Sequence, residues 1–99
     1  MTTTAAPIQA KFPAKIEVYS KDYCPHCTKA KMLLTSLGAT FQEIDITHNP
    51  NGYAEIQKRN PTARTVPQIF INNQPIGGND ALHVLHAENK LLPLLMAKP

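Results

Sequence analysis

The sequence predicts an α/β fold in which helices flank one four-stranded mixed β-sheet, in the order β-α-β-α-β-β-α-α. Short runs with apolar residues at alternate positions suit strands, and longer runs with apolar residues three and four apart suit helices. Glycine, proline and asparagine fall between the runs, where turns are needed.

Ile16-Glu17-Val18-Tyr19 alternates before Ser20-Lys21-Asp22, as a strand entering a loop does. Cys24 opens a helical pattern in which Ala30, Leu33, Leu34 and Leu37 share a face, and Gly38 stands where a C′ glycine ends a helix. Phe41 to Ile46 alternates again and reads as the second strand. Beyond the loop residues His48 to Gly52, a short helix is expected from about Tyr53 to Arg59. Asn60-Pro61 ends it, because proline disfavours helical geometry in the residue before it. Gln68-Ile69-Phe70-Ile71 and Gln74-Pro75-Ile76 read as strands on either side of an Asn72-Asn73 hairpin turn. Past Gly77-Gly78-Asn79, Leu82, Val84 and Leu85 mark a helix ending near Asn89, and Lys90 to Met96 forms a last short helix around Pro93. Two strands joined through a helix imply a parallel pair, and the hairpin adds an antiparallel one.

A chain of 99 residues, 42% hydrophobic and 17% charged, has the composition of one globular domain. Residues 1–14, rich in Thr, Ala and Pro, are expected to form a flexible arm, and residues 15–99 the folded domain. No apolar stretch approaches the ~20 residues of a membrane-spanning helix, so no membrane role is expected. The net charge is +3, but Lys and Arg are dispersed, which argues against a nucleic-acid partner. Two cysteines supply neither a cystine framework nor a four-thiolate zinc site.

Cys24-Pro25-His26-Cys27 lies at the start of the first helix, directly after the first strand. A haem attachment site would need histidine after the second cysteine, where Thr28 stands. Zinc would need two more ligands, and of the four histidines only His83 and His86 have a partner spacing; they read as helix-surface residues. A redox dithiol is the strongest reading. At a helix N-terminus Cys24 meets unpaired N–H groups and the positive end of the helix dipole, and thiols in such settings ionise at pKa values of about 3.5–7.5. Pro25 suits the first helical position, where its missing N–H costs nothing. Cys27 lies one turn deeper. Cys24 is therefore the expected nucleophile and Cys27 the resolving thiol. Lys21, three residues before Cys24, could stabilise the thiolate or bind a substrate carboxylate, and a protonated His26 could lend the thiolate positive charge.

From about Lys15 to Met96 the chain resembles the glutaredoxins. Tyr23-Cys24-Pro25-His26-Cys27, Arg64-Thr65-Val66-Pro67-Gln68-Ile69-Phe70-Ile71 and Ile76-Gly77-Gly78-Asn79-Asp80 carry the resemblance, in that family's order. It implies a thioredoxin-like fold, with the T-V-P and G-G-N-D segments flanking the dithiol and binding glutathione. A cis Val66–Pro67 bond is implied, with the Val66 backbone turned toward Cys24 and free to pair with an extended peptide. Gly78 would let the backbone approach the ligand, Asn79 would cap the helix whose N–H groups meet the γ-glutamyl carboxylate, and Asp80 would pair with the α-ammonium. Lys21 and Arg64 are candidates for the glycyl carboxylate, with Thr65 lining the groove between. The sequence departs from the pattern at His26, the candidate glutathione contact where many dithiol relatives have tyrosine, and at Ala81, where several have a second acid. Gln57 corresponds only loosely to a second-helix residue that contacts glutathione in many relatives.

The expected function is glutathione-dependent reduction of glutathione-mixed disulfides and protein disulfides. Glutathione is the expected co-substrate, glutathionylated or disulfide-containing proteins the partners, and no metal is required. A monomer in the reducing cytoplasm is expected. Two rivals differ in class: a dimer holding a [2Fe-2S] cluster through Cys24 of each chain and two glutathiones, and a thioredoxin-like carrier reduced by a flavoprotein. Pro25 and Cys27 argue against the first, and Lys21 and Asp80 against the second.

Overall fold

The computed structural model describes residues 12–99. Its elements follow the expected order: β1 (Ile16–Ser20), α1 (Pro25–Ser36), β2 (Gln42–Asp45), α2 (Gly52–Arg59), β3 (Gln68–Ile71), β4 (Gln74–Gly77), α3 (Asn79–Ala87) and α4 (Leu91–Met96). The strands form one sheet in the order β2-β1-β3-β4. β2 runs parallel to β1, as a connection through a helix requires, and β3 is antiparallel to both β1 and β4. Pro75 is tolerated because β4 is an edge strand. Asn72 and Asn73 both adopt positive φ, 52° and 67°, the backbone that a tight two-residue hairpin demands.

Both faces of the sheet are covered. Ile16 and Val18 of β1 with Ile69 and Ile71 of β3 face Ala30 and Leu34 of α1, Leu82 of α3, and Leu91 and Leu95 of α4. On the opposite face Tyr19 and Phe70 meet Ile56 of α2, together with Ile46, Ala63, Val66 and Cys27. This explains why every residue of β1 and β3 is buried, Glu17 included. Phe12 and Ala14 also belong to the first cluster, and the Ala14 N–H donates to the Leu95 carbonyl at 3.3 Å. Those two residues are therefore part of the packed domain; residues 1–11 of the arm expected over 1–14 lie outside the described residues.

α1 stops as its glycine foretells. Gly38 has φ +82°, its N–H donates to the Thr35 carbonyl at 2.9 Å, and the Ala39 N–H reaches back to Leu34 at 3.0 Å. Together these bonds form a Schellman closure. α2 begins one residue before the expected Tyr53, at Gly52, where a Cβ would lie 2.5 Å from Ile46 Cγ2. Glycine lets the helix start pressed against the end of the β2 segment.

Candidate active site

β1 ends at Ser20, and the loop after it delivers Cys24 to the first turn of α1. Cys24 is the N-cap: its extended backbone (φ −118°, ψ 98°) precedes Pro25 at the first helical position. Its sulfur accepts the Cys27 N–H at 3.1 Å, so one of the helix's unpaired donors points at the reactive atom. Cys24 and Cys27 are joined by a disulfide with their Cα atoms 5.2 Å apart. Cys27 is fully buried, whereas Cys24 is partly exposed. Incoming thiols and disulfides therefore meet Cys24 first.

The Val66–Pro67 bond is cis, and the Val66 carbonyl oxygen lies 3.9 Å from Cys24 Sγ. Beside it runs a groove of about 450 Å³ lined by His26, Thr65, Val66, Pro67, Gly78, Asn79, Asp80 and Ala81. Seven of the nine residues named for glutathione thus share one groove. Gln68 shapes its wall, donating from Nε2 to the Thr65 carbonyl at 2.9 Å. Lys21 is exposed and lines a different cleft on the Cys24 side. Arg64 is exposed and lines neither cavity. Gln57 donates to the Ala63 carbonyl at 3.4 Å and does not line the groove.

One expected role is corrected. Asn79 does not cap α3 with its side chain: Gly78 is the N-cap, and Asn79 is the first residue of the helix. Gly78 takes the cap position close to the T-V-P segment, where a Cβ would stand 3.4 Å from the Pro67 carbonyl oxygen. The Asn79 side chain is buried and its Oδ1 has no hydrogen-bond partner among the described residues. Among the described residues no side chain caps the α3 N–H groups, which lie at the groove beside the exposed Asp80.

The second cleft, about 820 Å³, is lined by residues including Ser20, Lys21, Tyr23, Cys24, Lys31, Glu43 and Asp45. Lys31 Nζ lies 2.7 Å from Glu43 Oε2, and the buried Ser20 hydroxyl donates to the same carboxylate at 2.5 Å. These two bonds hold the Glu43 carboxyl below the usual carboxylate range. Asp45 binds His48 Nδ1 at 2.8 Å, which lowers the carboxyl and raises the imidazole.

Sequence reasoning missed a network under the site. Arg59, at the end of α2, makes a bidentate contact with the buried Glu17 of β1, at 2.8 and 3.2 Å. It also donates to the Tyr19 hydroxyl at 3.0 Å and stacks its guanidinium 4.0 Å from the centre of the Phe70 ring. Tyr19 in turn donates to Glu55 at 2.6 Å, and burial raises its phenol. The available signal was a charged residue inside a strand bounded by Ile16 and Val18, with an arginine closing the next helix but one.

The glutaredoxin family model matches residues 16–76. Glutaredoxin 3 of Escherichia coli K12 is 49% identical over 82 residues, covering 83% of this chain and 98% of that protein. Among solved structures, a buckwheat glutaredoxin–glutathione complex superposes with a TM-score of 0.75 at 35% identity, covering 83% of this chain and 76% of that one. The glutaredoxin of Brucella melitensis does so at 0.73 and 43%, covering 83% and 88%. Sequence, fold and the Cys24–Cys27 pair agree, and the chain belongs to the glutaredoxin family.

Proposed function

We propose that this chain is a glutathione-dependent thiol–disulfide oxidoreductase. One observation carries the reading: a partly exposed cysteine at a helix N-terminus, disulfide-bonded to a fully buried one, beside a groove that ends in a second helix N-terminus. In the reduced protein the Cys24 thiolate attacks the glutathionyl sulfur of a mixed disulfide. A Cys24–glutathione disulfide forms, and the substrate sulfur leaves as a thiolate that takes up a proton. A second glutathione thiolate then attacks the bound glutathionyl sulfur, giving glutathione disulfide and restoring Cys24. With a protein disulfide, Cys27 resolves the intermediate.

Glutathione fits the groove by its chemistry. The Val66 backbone offers strand-like pairing to the cysteinyl unit, while the α3 N-terminus and Asp80 suit a carboxylate and an ammonium on one carbon. Lys21 and Arg64, both exposed at the margins, are the cations available for the glycyl carboxylate at the other end. The buckwheat relative is a glutathione complex, which supports the same assignment. Such a reaction suits a reducing compartment such as the cytoplasm.

A glutathione-coupled reduction assay tests the reading. Cys24→Ser is expected to lose turnover entirely. Cys27→Ser keeps reduction of small glutathione-mixed disulfides and loses most protein-disulfide reduction. Wild-type-like turnover by Cys24→Ser would sink the assignment of the nucleophile.

A further inference from the structure

Only Lys21, Asp22 and Tyr23 separate β1 from Cys24, so the shape of this short loop sets where the reactive sulfur stands. Tyr23 has φ +56°, a backbone region that bulky residues avoid, yet its side chain is wholly exposed. Packing of its own ring therefore does not hold that conformation. A strained backbone persists only where its surroundings over-determine it.

The constraint comes from the residues on either side. Ser20 is fixed in the sheet, its carbonyl accepting the Ile46 N–H at 2.8 Å. Cys24 is fixed as the cap of α1, its carbonyl accepting the Thr28 N–H at 3.1 Å. Between them the Asp22 N–H donates to Thr47 Oγ1 at 2.7 Å. Thr47 is itself held in place, because its N–H donates to Asp45 Oδ1 at 2.8 Å and it follows the Ile46 that pairs with Ser20. Its hydroxyl thus extends the contact between β1 and β2 by one hydrogen bond, to the residue just before Tyr23. Thr47 is exposed and lines neither the groove nor the second cleft, so its own surroundings do not mark it as part of the site.

We propose that Thr47 is a positioning residue for Cys24: its hydroxyl holds the loop in the conformation that keeps Cys24 Sγ within reach of the Cys27 N–H. That bond measures 3.1 Å in the disulfide form. In the reduced protein the acceptor is a thiolate, and hydrogen bonds to ionised acceptors are roughly twice as strong as neutral ones. Loosening the loop therefore costs the reduced form more than the oxidised one. The inference rests on the reading of Cys24 as the nucleophile.

The test compares the wild type with Thr47→Val, which removes the hydroxyl without changing any charge, and Thr47→Ser, which keeps it. Leu95→Ala serves as the control for lost stability alone. Each reduced protein is alkylated with iodoacetamide at neutral pH, and mass spectrometry identifies the labelled cysteine. The dithiol–disulfide equilibrium of each is then titrated against dithiothreitol buffers. Thr47→Val is expected to alkylate at Cys24 about threefold more slowly and to shift the equilibrium about threefold toward the disulfide, a potential about 14 mV more reducing. Thr47→Ser and Leu95→Ala match the wild type in both measurements. Wild-type values in Thr47→Val, or the same losses in Thr47→Ser or Leu95→Ala, overturn the proposal. Labelling of Cys27 ahead of Cys24 in the wild type overturns the nucleophile assignment on which it rests.

Discussion

Cys24 occupies the position at α1 that serine, threonine or aspartate usually fills, and its sulfur accepts the bond their oxygens would accept. Once reduced, the same N–H and the helix dipole favour the thiolate over the thiol. His26, exposed in the first turn of the helix and lining the groove, brings an imidazole into that field. A positive neighbour stabilises the thiolate form, so His26→Tyr is expected to make the couple more reducing. The shift is on the order of 10–30 mV, measured against glutathione buffers; an unchanged potential would remove the imidazole from the electrostatics. The Asp45–His48 pair behaves differently because both partners are exposed and their effect stays local. The lowered Asp45 contributes stability above the ordinary carboxylate pKa, which fades as pH falls through its depressed value. The raised His48 contributes below the ordinary imidazole pKa, and that part fades as pH rises through its elevated value. In an NMR pH titration His48 should lose its proton later than a free histidine, and Asp45→Asn should bring the midpoint back down. The same midpoint in both proteins would deny the pair.

Between elements, Arg59 fastens α2 to three strand positions at once: Glu17, Tyr19 and Phe70. It also reaches Asn73 of the hairpin at 3.2 Å. Removing the guanidinium leaves the carboxylate of Glu17 buried without its partner, a loss of about 3 kcal/mol. Denaturant unfolding should show that loss for Arg59→Met, and most of it should return in the Glu17→Leu, Arg59→Met double variant, since an apolar pair leaves no charge stranded. Equal losses in both would assign the effect to packing alone. The pair also marks how far the chain could be read. Strand alternation, Gly38, the Asn72-Asn73 turn and the Cys24 cap are decided within a few neighbouring residues, so each was legible. Glu17 and Arg59 lie 42 positions apart and meet only because α2 covers the face of β1 opposite α1. The cap of α3 failed locally for a similar reason: Asn79 has the right side chain for a cap, but the approach of Gly78 to Pro67 sets where the helix begins. The groove was read through resemblance, whereas the cleft joins a β1–α1 loop to β2 and α1 and has no linear signature.

Across the whole molecule the sheet divides the interior into two clusters with unequal claims on the site. The larger, under α1, α3 and α4, holds Leu91 and Leu95 and reaches back to Phe12 and Ala14. The smaller, under α2, contains Cys27 and Val66, the wall against which the dithiol rests, and has Ile56 as its fully buried contribution from α2. Truncating either cluster costs stability by the same physics of lost transfer energy and a residual cavity, about 3 kcal/mol for a large-to-alanine change at a fully buried position. For a domain of this size that lowers Tm by about 15 °C. The consequences for chemistry should differ. Leu95→Ala removes packing where α4 meets Phe12 and Ala14, so at a temperature well below its Tm its turnover should match the wild type. Ile56→Ala opens space directly among the neighbours of Cys27 and Val66, which lets the resolving thiol and the groove wall shift. A misplacement of about 1 Å can cost 10²-fold in rate, so a loss of tenfold or more in protein-disulfide reduction is expected at equal stability. Melting curves establish that the two variants are comparably destabilised, and turnover at 15–20 °C then separates them. Equal turnover in both would mean that the two halves of the core support the site alike.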